Sequence, residues 1–385
     1  MISIPHQQKT ISDEDALAVI EALRSGYLVE GPAIEAFENA VAQYCGAKYA
    51  VAVSSATAAL HMACLAAGVG PGRSLWTSPN AFVTSANCAR YCYGEVDFVD
   101  IDPLSFNLDA AKLEQKLGDA ELQGRLPQAV LPVHFAGQSC EMEKIYQLCQ
   151  HFGTLVIEDA SHALGGYYRG AKVGCGQYSD MTVFSFDPSA IVTSGEGGMV
   201  LTNRHDLYQK LLRLRSHGVA HQPESMRSLS QGEWVAEQVE LGFNYRMTEV
   251  QAALGASQMA RVDSFVQRRH EIAADYDAAL KALPLTTPWR HPDAFSACSL
   301  YTIELNDAAK RQLVYGKLRE AGIDVGVHFM PLHWHPYYRK SGFRVGDFPI
   351  AESHYQRTLS LPILPVLQAE EQQHVIEVLT AAISV

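Results

Sequence analysis

Short β-branched runs alternate with longer stretches of helical periodicity through the first two hundred residues. YAVAV (49–53) is followed by TAALHMACLAAG, and then by VDFVDI (96–101), AVLPVHF (129–135) and TLVIED (154–159). Strands that alternate with helices predict a mostly parallel sheet covered on both faces. MTVFSF (181–186) and GMVLTN (198–203) lie too close together for a crossover helix, so this pair is expected to be antiparallel and the sheet mixed. At the N-terminus Ser12 and Asp15 have the spacing of a capping box ahead of Leu17, Val19, Ile20 and Leu23, with Gly26 as the stop.

Residues 204–217 and 246–282 read as amphipathic helices, the second long enough to connect two domains. Between them lies a polar insertion, AHQPESMRSLSQGEWVAEQVELG, with an isolated Trp234; it reads equally as a surface loop and as a substrate lid. From about residue 300 the pattern restarts with YTIEL, a helix through Gly322, VGVHF, the loop MPLHWHPYYRK and a final helix over 368–382. The expected division is an N-terminal helix over 1–25 near the small domain, a large domain over 26–250, and a linking helix with a smaller α+β domain over 251–385.

Composition narrows the function classes. The chain has 30 basic and 42 acidic residues, a net charge of −12, which argues against a nucleic-acid binder. Its apolar runs fall short of the ~18 residues of a membrane span, and the start MISIPHQQKTISDED lacks a signal peptide, so cytoplasmic residence is expected. The eight cysteines form no CxxC pair and read as reduced, buried side chains.

Three segments carry candidate chemistry. SSATAAL (54–60) follows a strand and opens a helix; small residues there let a phosphate reach free N–H groups, although Ser or Thr in that place is also an ordinary cap. Asp159 ends a strand, where a carboxylate can pair with a protonated ring nitrogen or cap a following helix. His162 lies one turn further on, as a ring contact or a structural histidine. In SDMTVFSFDPSAIVTSGEGG (179–198), Ser185 is either a phosphate donor or the polar side of a strand. GEGG matches neither GxGxxG nor a P-loop and reads as a tight turn. The absence of a GxGxxG turn after the first strand also sets aside an NAD-dependent sugar epimerase or dehydrogenase. His328, His333 and His335 are not at a standard metal spacing, so pocket or packing roles are expected and no metal.

Taken together, SSATAAL, PNAFVTSAN, VHFAGQ, VIEDASHALG, SDMTVFSFDPS…TSGEGGMV, LRSHG and ELGFNYRMTEVQAALG resemble the fold-type I, pyridoxal phosphate (PLP)-dependent sugar aminotransferases of the DegT/StrS family, in order along nearly the whole chain. The resemblance implies that Ala56, Thr57 and Ser185 bind the PLP phosphate and that Phe82 lies against the pyridine ring. Asp159 would pair with the ring nitrogen, and His162 would sit near the ring face or phenolic oxygen. Asn244 would reach the phosphate of a neighbouring subunit, making a homodimer with its active site at the interface. Arg215, His217, Arg246 and His328 are candidates for the substrate, a UDP-linked keto or amino sugar. L-glutamate would donate the amino group to C4 of a UDP-4-keto-6-deoxy-N-acetylhexosamine, as in pseudaminic acid synthesis.

The same comparison puts the Schiff-base lysine at position 190, which holds Ala190, while Asp187 stands where many relatives have His. An alanine supplies neither nucleophile nor base. The expectation is a chain that binds PLP, pyridoxamine phosphate or an amino-sugar adduct and barely turns over, by a lysine-to-alanine substitution. The alternatives are a lysine-less relative of the PLP-dependent sugar dehydratases and a non-catalytic binding protein.

Overall fold

The computed structural model describes residues 3–6, 10–220 and 234–384. Seven strands form one sheet in the spatial order Tyr49–Val53, Gly198–Thr202, Met181–Ser185, Leu155–Asp159, Ala129–Leu131, Ser74–Thr77 and Glu95–Phe98. The strand Gly198–Thr202 is antiparallel to both its neighbours, with Val53 opposite Gly198 on one side and Ser185 opposite Gly198 on the other. All the other pairings are parallel. The close pair 181–186 and 198–203 is therefore antiparallel, as its short connection requires.

This topology positions the site. Parallel strands deliver their carboxyl ends to one edge, so Val53, Thr77, Asp159 and Ser185 end together there, and the reversed strand adds Gly198 to the same edge. The helix Ala56–Ala67 leaves that edge directly after the first strand. Ser55 caps it by accepting the Ala58 N–H at 3.1 Å, and Gly68 ends it in the left-handed region. Alanines at 58, 59, 63, 66 and 67 let this helix lie close against the sheet, with Leu60 and Met62 filling the space between.

A second core belongs to the C-terminal part. There Leu285–Thr286, Tyr301–Leu305 and Thr358–Leu361 form a small antiparallel sheet, packed with Ile272, Tyr276, Val314, Leu318, Val375 and Leu379. Ile4 joins this core and bridges to Ile323. One helix, Val262–Leu280, feeds both regions: Val262 and Val266 pack with the large-sheet side, Ile272 to Leu280 with the small one.

The expected single helix over 246–282 is two, Glu249–Met259 and Val262–Leu280. The break falls at Arg261 (φ −112°, ψ 5°), whose guanidinium pairs with the buried carboxylate of Asp15. That carboxylate also accepts from Ser257 Oγ at 2.7 Å and Gln258 Nε2 at 3.0 Å, so it ties the turn to the N-terminal helix. The helix Asp13–Arg24 has its Ser12–Asp15 capping box, but it buries Asp15 and Ala22 while Leu17, Ile20 and Leu23 face outward. VGVHF is not a strand; Gly326 makes only an isolated bridge to Ser360. The polar insertion lies mostly outside the described residues, and Trp234 at its end is exposed.

Candidate active site

Asp159 is the centre of the strand-end constellation. It is buried and held by donors on both oxygens: Ser85 Oγ donates to Oδ2 at 2.6 Å, while the Ser161 hydroxyl and N–H donate to Oδ1 at 2.6 and 3.2 Å. No helix follows Asp159; residues 160–165 turn instead, so the helix-cap alternative falls away. His162 sits in that turn. Burial holds its pKa below the ordinary histidine value, against the pull of Asp159 and Asp187, and its Nδ1 is shielded from solvent with no hydrogen-bond partner.

Phe329 arrives from the C-terminal part and closes this corner. Its N–H donates to Asn80 Oδ1 at 3.3 Å, and its ring lies 6.4 Å from His162 and 6.1 Å from Phe82. Phe82 is 55% exposed, unusual for a phenylalanine this close to a buried carboxylate network, and it leaves an aromatic face open at the site.

At the other end of the edge, the N–H groups of Ala56 and Thr57 belong to the first turn of their helix and have no intrahelical acceptor. Gly198 is pressed against this turn. A Cβ there would come within 2.6 Å of the Ala56 nitrogen and closer still to the Ser55 carbonyl. Thr57 also borders an open cleft of about 500 Å3 with His61, Arg90, Tyr91, Tyr93 and Tyr245. Ser185 is buried, and its Oγ accepts the Asp187 N–H at 3.3 Å.

Ala190 lies in the turn between the antiparallel strands and is buried. Asp187 builds this turn: its Oδ1 accepts from Ser189 N and Oγ, both at 2.6 Å, and from Ala190 N at 3.0 Å. GEGG is a bend running into the strand Gly198–Thr202 rather than a hydrogen-bonded turn, and Ser194 Oγ donates to the Glu196 carbonyl.

Of the remaining candidates, His328 lies at this corner, its ring 4.8 Å from that of Phe329 and within electrostatic reach of His162, while the others lie elsewhere in the single chain. Arg215 donates to Glu38 at 2.6 Å and to the Ala52 carbonyl at 3.1 Å. Arg246 lies 3.3 Å from Glu30, and both arginines border a cleft of about 700 Å3 that also holds Glu35. His217 and Asn244 are exposed, although Tyr245 anchors the segment by accepting the Ser54 N–H and contacting His61 through its hydroxyl at 3.0 Å. His328 contacts Ser360 Oγ at 2.7 Å and faces the His6 ring; burial pushes its pKa down to about 3. His333 pairs with Glu352. Among the described residues no group of three or more His, Cys, Asp or Glu could hold a metal ion, and all eight cysteines are free.

A buried strand-end carboxylate, an open aromatic face, an unpartnered imidazole nitrogen and a helix start on one sheet edge suit a flat, phosphorylated, nitrogen-containing ring. The DegT/DnrJ/EryC1/StrS aminotransferase family model matches residues 9–380. The chain belongs to this family. The spore coat polysaccharide biosynthesis protein SpsC of Bacillus subtilis is 38% identical over 380 residues, covering 97% of this chain and 95% of that protein. UDP-4-amino-4,6-dideoxy-N-acetyl-β-L-altrosamine transaminase of Campylobacter jejuni is 35% identical over 368 residues, covering 94% and 92%. Among solved structures, Helicobacter pylori PseC, an aminotransferase of pseudaminic acid biosynthesis, superposes with a TM-score of 0.89 at 29% identity over the full length of both chains. The PLP-form of the putative sugar aminotransferase Spr1654 from Streptococcus pneumoniae gives 0.90 at 25% identity, covering 100% and 99%. The fold is that of the fold-type I PLP aminotransferases, and the family is one of PLP-dependent sugar aminotransferases.

Ser85 and Ser161, the two donors to Asp159, were not singled out by sequence reasoning. Ser161 carried a signal, since a serine two residues after an aspartate forms a local side-chain turn. Ser85 carried none, because a serine in the first turn of a helix reads as a surface or capping residue.

Proposed function

We propose that this chain binds PLP or pyridoxamine phosphate at the sheet edge and belongs to a UDP-sugar aminotransferase type in which Ala190 stands at the Schiff-base lysine position. The observation that carries this reading is Asp159, a buried carboxylate fixed on both oxygens at a strand end beside an unpartnered His162 nitrogen. PLP supplies, when bound, an electron-withdrawing ring and an aldehyde carbon for amine chemistry. Asp159 would hold the ring nitrogen protonated, Phe82 would cover a ring face, and His162 would contact the ring or its phenolic oxygen. Ala56, Thr57 and Ser185 would hold the phosphate.

L-glutamate as amino donor and a UDP-4-keto-6-deoxy-N-acetylhexosamine as acceptor, in the pseudaminic acid pathway, are inferred from the similarity to the Campylobacter transaminase and to PseC. A homodimer is inferred from the family, and the outward Asn244 and the outward Leu17, Ile20 and Leu23 agree with it. Residues 26–250 would then be the cofactor domain and 251–385 its cover, with Phe329 one of several contacts between them.

The methyl of Ala190 can neither attack nor carry a proton. Loss of a general base alone slows a reaction by ~10²–10⁴, roughly 3–5 kcal/mol of barrier, so turnover would be nearly absent. One observation favours a second reading, a protein that naturally works without lysine: Asp187 and Ser189 close the turn around Ala190 with a hydrogen-bond set of their own. Ala190→Lys separates the two. Added PLP should give the visible absorption band of lysine-bound cofactor, and L-glutamate should discharge it. A band that amino donors leave unchanged would favour the lysine-less binder, and no band at all would remove the PLP reading.

A further inference from the structure

We infer that Ser85 is a positioning residue for Asp159, setting the plane of the carboxylate that accepts the hydrogen bond of the protonated ring nitrogen; this rests on the PLP reading above. Ser85 lies in the first turn of the helix Thr84–Tyr91, a place where serine usually faces solvent, yet it is only 1% exposed. A hydroxyl has one hydrogen to give, and that of Ser85 goes to Asp159 Oδ2 at 2.6 Å across a sequence separation of 74 residues.

The geometry divides the work between two serines. Ser161 donates to Oδ1 from the same strand end as Asp159 and moves with it. Ser85 grips Oδ2 from a separate element, so among the described residues it is Ser85 that fixes the carboxylate relative to the rest of the site. Phe82 lies just ahead of that helix, and its carbonyl accepts the Ser85 N–H at 3.1 Å. One turn of backbone therefore sets both the aromatic face and the carboxylate plane, the two surfaces that a stacked, protonated pyridine must meet together. Each carboxylate oxygen has a second lone pair, so the serine bond leaves an acceptor position for a ring N–H. Removing the serine hydroxyl frees the Asp159 side chain to rotate and leaves a buried anion with one fewer donor.

The test is the binding of pyridoxamine phosphate labelled with 15N in the ring, followed by its nitrogen chemical shift and by its dissociation constant. In the unchanged chain the shift should report a protonated ring nitrogen into mildly alkaline pH. Ser85→Ala should weaken binding by roughly tenfold and release the ring proton at lower pH, while Ser85→Thr restores both. A merely structural serine would alter the melting temperature and leave the nitrogen shift alone. Should Ser85→Ala not fold, Ser85→Cys, with its weak donor, must show both changes in smaller measure. If Asp159→Asn changes shift and affinity but Ser85→Ala changes neither, the positioning role is wrong and the PLP site stands. If the unchanged chain gives no saturable binding, the PLP reading fails and the role of Ser85 falls with it.

Discussion

The edge of the large sheet and the stretch from Arg215 to Arg246 both carry candidate site residues, and the structure treats them differently. At the edge, Asp159, Ser85, Ser161, His162, Phe82 and Phe329 form a closed set of contacts within one chain. Along the second stretch Arg215 is paired with Glu38, Arg246 lies beside Glu30, and His217 and Asn244 face outward. The difference teaches that the carboxylate and aromatic end of the proposed cofactor site is built within one chain by sheet topology. Among the described residues, the proposed sugar-nucleotide half has no such closure in a single chain, as expected if a second subunit completes it.

The sharpest way to strain this comparison uses the neighbour of Asp159 on the opposite face of its strand. Glu158 is buried, accepts from Thr182 Oγ1 at 3.1 Å and pairs with His134 Nε2 at 2.7 Å; His134 Nδ1 accepts the Cys140 N–H, so its proton is on the Glu158 side. Glu158→Ala leaves that imidazole N–H unpaired in the core and should cost about 1–3 kcal/mol of stability in urea unfolding. Pyridoxamine phosphate affinity of the folded fraction should stay within about twofold, because Glu158 faces away from the site. A large affinity loss would mean that the two faces of the strand are not separable.

Asn244→Ala probes the other half. The side chain is exposed in a single chain, so stability should change by less than about 0.5 kcal/mol. If it reaches a neighbouring phosphate, affinity for pyridoxamine phosphate should fall roughly fivefold, and the loss should vanish for dissociated subunits. Unchanged affinity at concentrations where the dimer forms would remove Asn244 from the site.

The smallest effect concerns acid. Burial, the larger cause in each case, lowers His6 to about 4 and His328 to about 3, whereas unfolded histidines bind a proton near 6.5. Between those values the unfolded chain holds more protons, so stability rises with pH. The contribution is complete above about pH 6.5 and is lost progressively as pH falls toward the folded values. Urea midpoints measured from neutral pH to pH 5 should fall less steeply in His328→Asn than in the unchanged chain.

How much of this was legible in the sequence depends on the range of the interactions. YAVAV, TLVIED and the close pair MTVFSF and GMVLTN announce strands because β-branched and aromatic runs bounded by turn residues have few alternatives. Asp159 was legible because the end of a parallel strand fixes its place. The break at Arg261 was not, since it is coupled to Asp15 some 246 positions away. The strand Thr358–Leu361 was not, since TLSL is short and lies directly after a helix. Leu17, Ile20 and Leu23 carry a core-like period, yet the chain alone leaves them outward. Ser85 was hidden for the same reason as Arg261, because its meaning lies in a partner 74 residues on.

If an intact cofactor site persists around Ala190, calorimetric titration of the unchanged chain with pyridoxamine phosphate will reveal it. Saturable binding at one ligand per subunit is expected, weakened roughly 10–100-fold by Asp159→Asn, since a hydrogen bond to a charged group contributes about 1.5–3 kcal/mol. Absence of saturable binding, or binding that Asp159→Asn leaves unchanged, would contradict it.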